Sequence, residues 1–326
     1  LSEKIVTSKE MTNGTICFGW HTTTTGKDNV ISGIRLNQTA LPQQFKVAAQ
    51  IFLKSPMKVS SQSKWTLQIL NETRKYVQEH NVYLVVHGQY VINFCRNKRE
   101  IGWAIDSVVD DLNTLKEMTP IDSHSKTGVV IHLGKNVNKI SEEECINNFV
   151  ENVQEVLTKQ QSDLRLILET STKTKNGNDI FHDLHVFGKL NQRLRETLSE
   201  TVYNRIGYCI DTAHVFASGY DIRTEETFLQ FLDIWDQKIG LDRITLFHLN
   251  DSKVDVDCCR DLHEEIGRGF IYRDTTSGLA MLLKYCQKHK IPIISETGGD
   301  RLQEITAIIS TNARVVGNSD EDVDTT

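Results

Sequence analysis

The chain has 326 residues, 39% hydrophobic and 25% charged, with a formal net charge of −6. This is the balance of an ordinary soluble globular protein, and no apolar run is long enough to span a membrane. The acidic sum also argues against a nucleic-acid binder that relies on a basic surface alone.

Cysteines stand at 17, 95, 145, 209, 258, 259 and 286, without a C-x-x-C pair. They read as reduced thiols of an intracellular protein, cytoplasmic or nuclear. No signal peptide is evident, and the start at Leu1 reads as a fragment or a processed form. Residues 1–13 are polar and aperiodic, an expected flexible extension, and 316–326 are acidic and polar, an expected disordered tail.

Between these ends one pattern recurs: a short apolar run, a polar loop, then an amphipathic stretch. The runs are Thr15–Trp20, Ala48–Lys54, Tyr83–His87, Gly128–His132, Leu164–Glu169, Ile206–Asp211, Ile244–His248 and Ile291–Glu296. They are too short for buried helices and lack polar alternation, as parallel strands buried on both faces do. Helical periodicity follows over Ser63–Gln78, with Trp65, Ile69 and Leu70 on one face. It returns over Val108–Met118, Glu142–Leu157, Leu184–Leu198, Thr224–Ile239, Thr276–His289 and Arg301–Ile309, with a capping box expected at Ser141–Glu144. The alternation predicts an α/β protein, a single-domain (β/α)8 TIM barrel over 14–315.

Run after run ends in a potential metal ligand: His87, His132, Glu169, Asp211, His248 and Glu296, with His214 one turn after Asp211. In a barrel the strands' C-terminal ends meet at one face, so these side chains would converge there. The polar stretch from His248 to Gly269 adds Asp251, Asp261 and His263 before closing on Gly267 and Gly269. A lone histidine after a strand is ordinarily a hydrogen-bonded structural residue; five histidines and four carboxylates at corresponding ends are not explained that way. Histidine and carboxylate without thiolate are the donors of a hydrolytic zinc or manganese site, and nine of them suit two or three ions. Three divalent ions against four carboxylates leave a local charge of about +2, which can attract a phosphodiester despite the acidic sum. His21 ends the first run and reads as a residue behind the ligands. His80, His124, His182, His185 and His289 read as surface or packing residues.

The blocks C-I-D-T-A-H at Cys209–His214, H-L-N-D-S-K at His248–Lys253, D-L-H-E-E-I-G-R-G at Asp261–Gly269 and S-E-T at Ser295–Thr297 resemble those of the endonuclease IV family. H-G-Q-Y-V-I-N at His87–Asn93, V-I-H-L-G at Val130–Gly134 and L-I-L-E-T at Leu166–Thr170 extend the resemblance over about 15–315. It implies a trinuclear zinc site, with manganese admissible at one or more positions. His87 and His132 would bind the first ion, and Glu169 would bridge it to the second. Asp211, His248 and Glu296 would complete the second, and His214, Asp261 and His263 the third. Glu296 and Glu169 would be the catalytic residues.

The activity implied is an apurinic/apyrimidinic (AP) endonuclease of base-excision repair. It would cleave 5′ to an abasic site in duplex DNA, leaving a 3′-hydroxyl and a 5′-deoxyribose phosphate, and would clear blocked 3′ ends. Tyr90, Val91, Met57, Lys58, Lys253 and Arg260 are the DNA contacts it implies, on a protein expected to be a monomer. Met57 stands where the family often has an inserting arginine, and Leu262 where an arginine is common between third-metal ligands. The basic segment Arg96–Arg99 reads as a loop able to touch the DNA backbone. The alternatives are a xylose-isomerase-like sugar isomerase or epimerase, which needs only Glu169, Asp211, His248 and Glu296, and a non-catalytic binder of damaged DNA.

Overall fold

The computed structural model describes residues 15–22, 30–59 and 65–317. Eight parallel strands close into a barrel: β1 (Cys17–Thr22), β2 (Lys46–Ile51), β3 (Tyr83–His87), β4 (Gly128–His132), β5 (Arg165–Glu169), β6 (Ile206–Asp211), β7 (Ile244–His248) and, last in the ring, β10 (Ile293–Ser295), which pairs with both β7 and β1. Asp251–Ser252 (β8) and His263–Glu264 (β9) form a separate antiparallel pair. Helices surround the barrel: α1 (Val30–Ala40), α2 (Leu67–Glu79), α3 (Lys98–Met118), α4 (Glu142–Lys159), α5 (Leu184–Thr197), α6 (Glu200–Tyr203), α7 (Thr212–Ala217), α8 (Glu225–Lys238), α9 (Ser277–His289) and α10 (Arg301–Gly317). Among the described residues no helix is long and apolar enough to cross a membrane.

Inward strand positions fill the barrel. Ala48, Tyr83, Val85, Val130, Ile167, Cys209, Leu246 and Ile294 pack as one cluster, and the larger core lies between strands and helices. This is the two-sided burial that the apolar runs require. Gly19 is needed for closure, since a Cβ there would sit 1.7 Å from the Ala48 carbonyl oxygen.

Several boundaries differ from the sequence expectation. The first strand runs two residues later, and β2 stops at Ile51, leaving Leu53 and Lys54 in a bend. Trp65 precedes α2 and donates to the Leu53 carbonyl instead of lying on the helix. α3 begins ten residues before Val108, so Arg96–Arg99 is no free loop: Asn97 caps the helix and Arg96 pairs with Glu100. At Ser141 the side chain accepts from the Glu144 N–H, but the reciprocal capping box forms at α8, between Thr224 and Thr227. α10 continues to Gly317, so 316 and 317 are helical; the expected extension over 1–13 and the rest of the tail lie outside the described residues.

Candidate metal centre

Three groups of histidines and carboxylates converge at the C-terminal ends of the strands: His87, His132 and Glu169; Glu169, Asp211, His248 and Glu296; and Asp211, His214 and His263. Within each group the ligand atoms lie within 4.8 Å of one another. Glu169 and Asp211 each belong to two groups, so the site is continuous across β3 to β7 and the residue after β10.

Glu169 is fully buried and divides its oxygens. Oε2 lies 3.2 Å from His87 Nε2 and 3.1 Å from His132 Nε2, while Oε1 lies 2.9 Å from His248 Nδ1. Donors bound at about 2 Å to a tetrahedral ion sit roughly 3.3 Å apart, so these spacings fit ligands sharing an ion. Burial would raise the Glu169 pKa, but His132 and His248 outweigh it and hold the carboxyl well below the usual range.

Asp211 reaches the site through a helix cap. Its Oδ1 accepts the His214 N–H at 3.0 Å, which starts α7 and sets His214 over the third group. Its Oδ2 lies 3.9 Å from His248 Nδ1, 3.9 Å from His214 Nε2 and 3.7 Å from His263 Nε2. Asp211, expected with the second ion, thus also faces the third. Asp261 stands at the rim, half-exposed, with Oδ2 3.1 Å from His214 Nε2 and Oδ1 3.0 Å from His263 Nε2.

The ring nitrogens are sorted by what lies behind them. Nδ1–H of His87 donates to the Gly88 carbonyl at 2.7 Å and that of His214 to the Thr170 carbonyl at 2.8 Å, turning both Nε2 atoms towards carboxylates. His248 is reversed. Its Nε2–H donates to Gln50 Oε1 at 2.8 Å, leaving Nδ1 for Glu169, Asp211 and Glu296. Gln50 Nε2 donates in turn to Glu296 Oε1 at 2.6 Å, so Glu296 Oε2 is the oxygen that faces His248, at 3.3 Å. Asn250 adds a second brace, donating to Asp211 Oδ2 at 2.7 Å and accepting the Glu296 N–H at 2.9 Å. Neither Gln50 nor Asn250 stands among the sequence candidates, although Asn250 lies inside one of the quoted blocks.

The donor set fits divalent cations. Among the described residues, buried His263 Nε2 has no hydrogen-bond partner of good geometry despite its nearness to Asp261, as a nitrogen reserved for a ligand would be. Burial lowers the His263 pKa, but Asp211 and Asp261 outweigh it and bring the ring to about 9. Burial raises Glu296, yet His248 holds it down at about 2.

Other expected residues fall around this core. His21 accepts from Gln50 Nε2 at 3.1 Å, behind Glu296. The Tyr90 ring packs 5.2 Å from both His87 and His132 and stays 43% exposed. Burial, then Glu296 and Glu169, push its hydroxyl pKa well up. Val91 is half-buried, and Met57, Lys58, Lys253 and Arg260 are exposed. Asp251 is not brought to the metal groups: fully buried, it accepts the N–H groups of Ser252, Ile271, Gly267 and Gly269 at 2.8 to 3.0 Å. A cavity of about 240 Å³ is lined by Tyr90, His132, His214, Asp261, Lys135 and Thr174, among others.

A family model described as a xylose isomerase-like TIM barrel matches residues 48–302. A protein of Acanthamoeba polyphaga mimivirus described as an endonuclease 4 is 31% identical over 261 residues, 79% of either chain. Apurinic-apyrimidinic endonuclease 1 of Schizosaccharomyces pombe is 30% identical over 281 residues, 82% of this chain and 75% of that one. The crystal structure of endonuclease IV from Thermus thermophilus shares the fold at a TM-score of 0.72 and 20% identity, covering 91% of this chain and 99% of that one. Matched over most of its length by the family model and by these relatives, the chain belongs to the endonuclease IV family, AP endonuclease family 2, of xylose-isomerase-like TIM barrels.

Proposed function

We propose that the chain is a metal-dependent AP endonuclease that hydrolyses the phosphodiester 5′ to an abasic site in duplex DNA, leaving a 3′-hydroxyl and a 5′-deoxyribose phosphate. The observation that carries this reading is the run of three ligand groups joined by Glu169 and Asp211. A sugar isomerase needs only the second group. Zinc suits the mixed histidine and carboxylate donors at all three positions, and manganese is compatible with the carboxylate-rich second one. Divalent ions, when bound, supply Lewis acidity towards phosphoryl oxygens and acidify a water.

The protein's part is positioning. His87, His132 and Glu169 would hold the first ion, Glu169, Asp211, His248 and Glu296 the second, and Asp211, His214, Asp261 and His263 the third. Glu296 is the most exposed side chain of the second group, at 12%, and so the one able to reach a water in the mouth of the site. Gln50 and Asn250 fix the plane of its carboxylate, so it would orient the attacking water. Tyr90 closes the site above His87 and His132, with Val91 beside it. Lys58, Lys253 and Arg260, on loops of the same face, would meet DNA phosphates. The same chemistry would clear blocked 3′ ends, with the protein acting as a monomer.

The test is incubation of the metal-loaded protein with a labelled abasic duplex, with and without chelator. Cleavage 5′ to the lesion that chelator abolishes and added metal restores is expected. An intact duplex in the presence of the loaded protein would reject the reading.

A further inference from the structure

The loop after β2 and the turn after β3 stand side by side on the metal face. The first exposes Met57 and Val59, at 69% and 65%, and the second exposes Tyr90. Beneath them lies an ion pair that the metal chemistry does not use. The Lys54 side chain is 2% exposed, and its ammonium meets three acceptors on α3: Asp111 Oδ1 at 2.6 Å, the Ser107 carbonyl at 2.8 Å and Asp110 Oδ2 at 3.0 Å. Three N–H groups thus find three partners.

The contacts close into a circuit. Ser107 Oγ donates to Gln89 Oε1 at 2.7 Å. Gln89 Nε2 donates to the Ser55 carbonyl at 3.1 Å and also to the Lys58 carbonyl. The Tyr90 N–H donates to the Pro56 carbonyl at 3.0 Å. Segment 54–58, segment 89–90 and the middle of α3 are therefore tied through one another. Burying a lysine with carboxylates gains little over an apolar side chain of the same volume, so stability alone is a poor reason for this arrangement. A directional tie between two loops is a better one, because apolar packing would let them slide.

We propose that Lys54 is a positioning residue that makes the Met57 loop and the Tyr90 turn one rigid platform, so that both side chains meet the duplex as a fixed apolar edge. The proposal rests on the reading that this face takes DNA. A platform ordered in advance spares the ordering entropy that two loose loops would lose at each encounter, so its failure appears in KM before kcat.

The test uses the metal-loaded full chain with Lys54→Met, Met57→Ala, the double variant and Gln89→Met, which cuts the circuit while keeping the Lys54 ion pairs. Amide hydrogen exchange at Lys58 and Tyr90 reads the platform without DNA. In Lys54→Met both amides are expected to lose protection together, by about tenfold or more, with the ion content unchanged. On an abasic duplex KM rises about tenfold while kcat stays within about twofold, and adding Met57→Ala then changes KM by less than about twofold, although alone it raises KM severalfold. Unchanged Tyr90 protection, or Lys54→Met and Met57→Ala effects that multiply, would overturn the proposal. Should Lys54→Met fail to fold, Gln89→Met must show the same paired loss, and retained protection there is equally fatal. If the loaded wild-type protein cleaves no abasic duplex, the DNA reading fails, and the exchange data still decide whether the two loops form one body.

Discussion

Gln50 touches two residues of the second ligand group at once, and its two ends do different things: Oε1 fixes the His248 tautomer and Nε2 fixes the Glu296 plane. Gln50→Leu removes both, and a loss of about 10–100-fold in second-site metal affinity or turnover is expected, read by metal titration and steady-state kinetics. Gln50→Glu keeps an acceptor for His248 but sets a carboxylate against Glu296. It should therefore retain the ion better than Gln50→Leu while cleaving poorly, and equal metal loss in the two variants would refute the division of roles. Glu296→Gln is expected to keep all three ions and lose cleavage by about 10²-fold or more, with near-wild-type turnover as the disproof. Six of the nine candidate ligands were legible in the sequence because each ends an apolar run, and His214, Asp261 and His263 because they follow such ends within one turn or one polar loop. Gln50 was not, because a glutamine inside an apolar run has no spacing to read: its partners lie 198 and 246 residues away.

Elements were legible where the buried face is continuous and apolar. The ranges of β3, β4, β6 and β7 are those expected, and α1 was missed for the opposite reason. Its buried positions are Val30, Gly33, Ile34 and Asn37, and Asn37 spends its amide on the carbonyls of Trp20 and Ala48, so half of the face carries no hydrophobic signal. The start of α3 escapes the sequence reading because residues 98–100 are charged and Gly102 follows a non-helical Ile101. In sequence the stretch from His248 to Gly269 reads as a metal loop, and the structure divides its labour. Asp261 and His263 face the third group, whereas Asp251 gathers four N–H groups and folds the loop back. α10 fastens the other side through the buried Glu304, which accepts from Trp20 Nε1, Ser295 Oγ, Thr297 Oγ1 and the Ile266 N–H. Gly269 is the tight point, since a Cβ there would meet Asp251 Oδ1 and the Ser252 carbonyl at 2.4 Å. Gly269→Ala is expected to cost about 1–3 kcal/mol in thermal or denaturant unfolding and to release the third ion before the other two. Uniform loss of all three ions would show that the loop does not act on that site separately.

At the scale of the whole molecule the ligand groups set a pH dependence that metal should erase. With metal removed by chelation, the protein groups alone fix the histidine protonation. Burial acts against the proton, but the carboxylates outweigh it, bringing His263 from an ordinary 6.5 to about 9 and raising His214 as well; His248 is raised by Cys209 first, then by Glu296 and Glu169. A group whose pKa is raised by folding gives stability that is complete below its unfolded value and lost as pH rises through its folded one. The chelated protein should therefore lose stability between pH 6.5 and about 9. Glu296, held near 2, contributes throughout that window, and His21, held near 4 by burial, is neutral in the folded state across it and titrates only in the unfolded state, at its lower edge. The buried Cys17 thiol also weakens the fold in alkali, since burial pushes it up to about 12, but the charge beside it is Lys46 and not a candidate ligand. The comparison that isolates the site is thus the difference in melting temperature between loaded and chelated protein, followed from pH 6.5 to 9. In the loaded protein the ligating histidines carry no displaceable proton on the metal-facing nitrogen, so that difference should widen steadily with pH. A difference that stays flat or narrows would mean that these histidines are not the ligands.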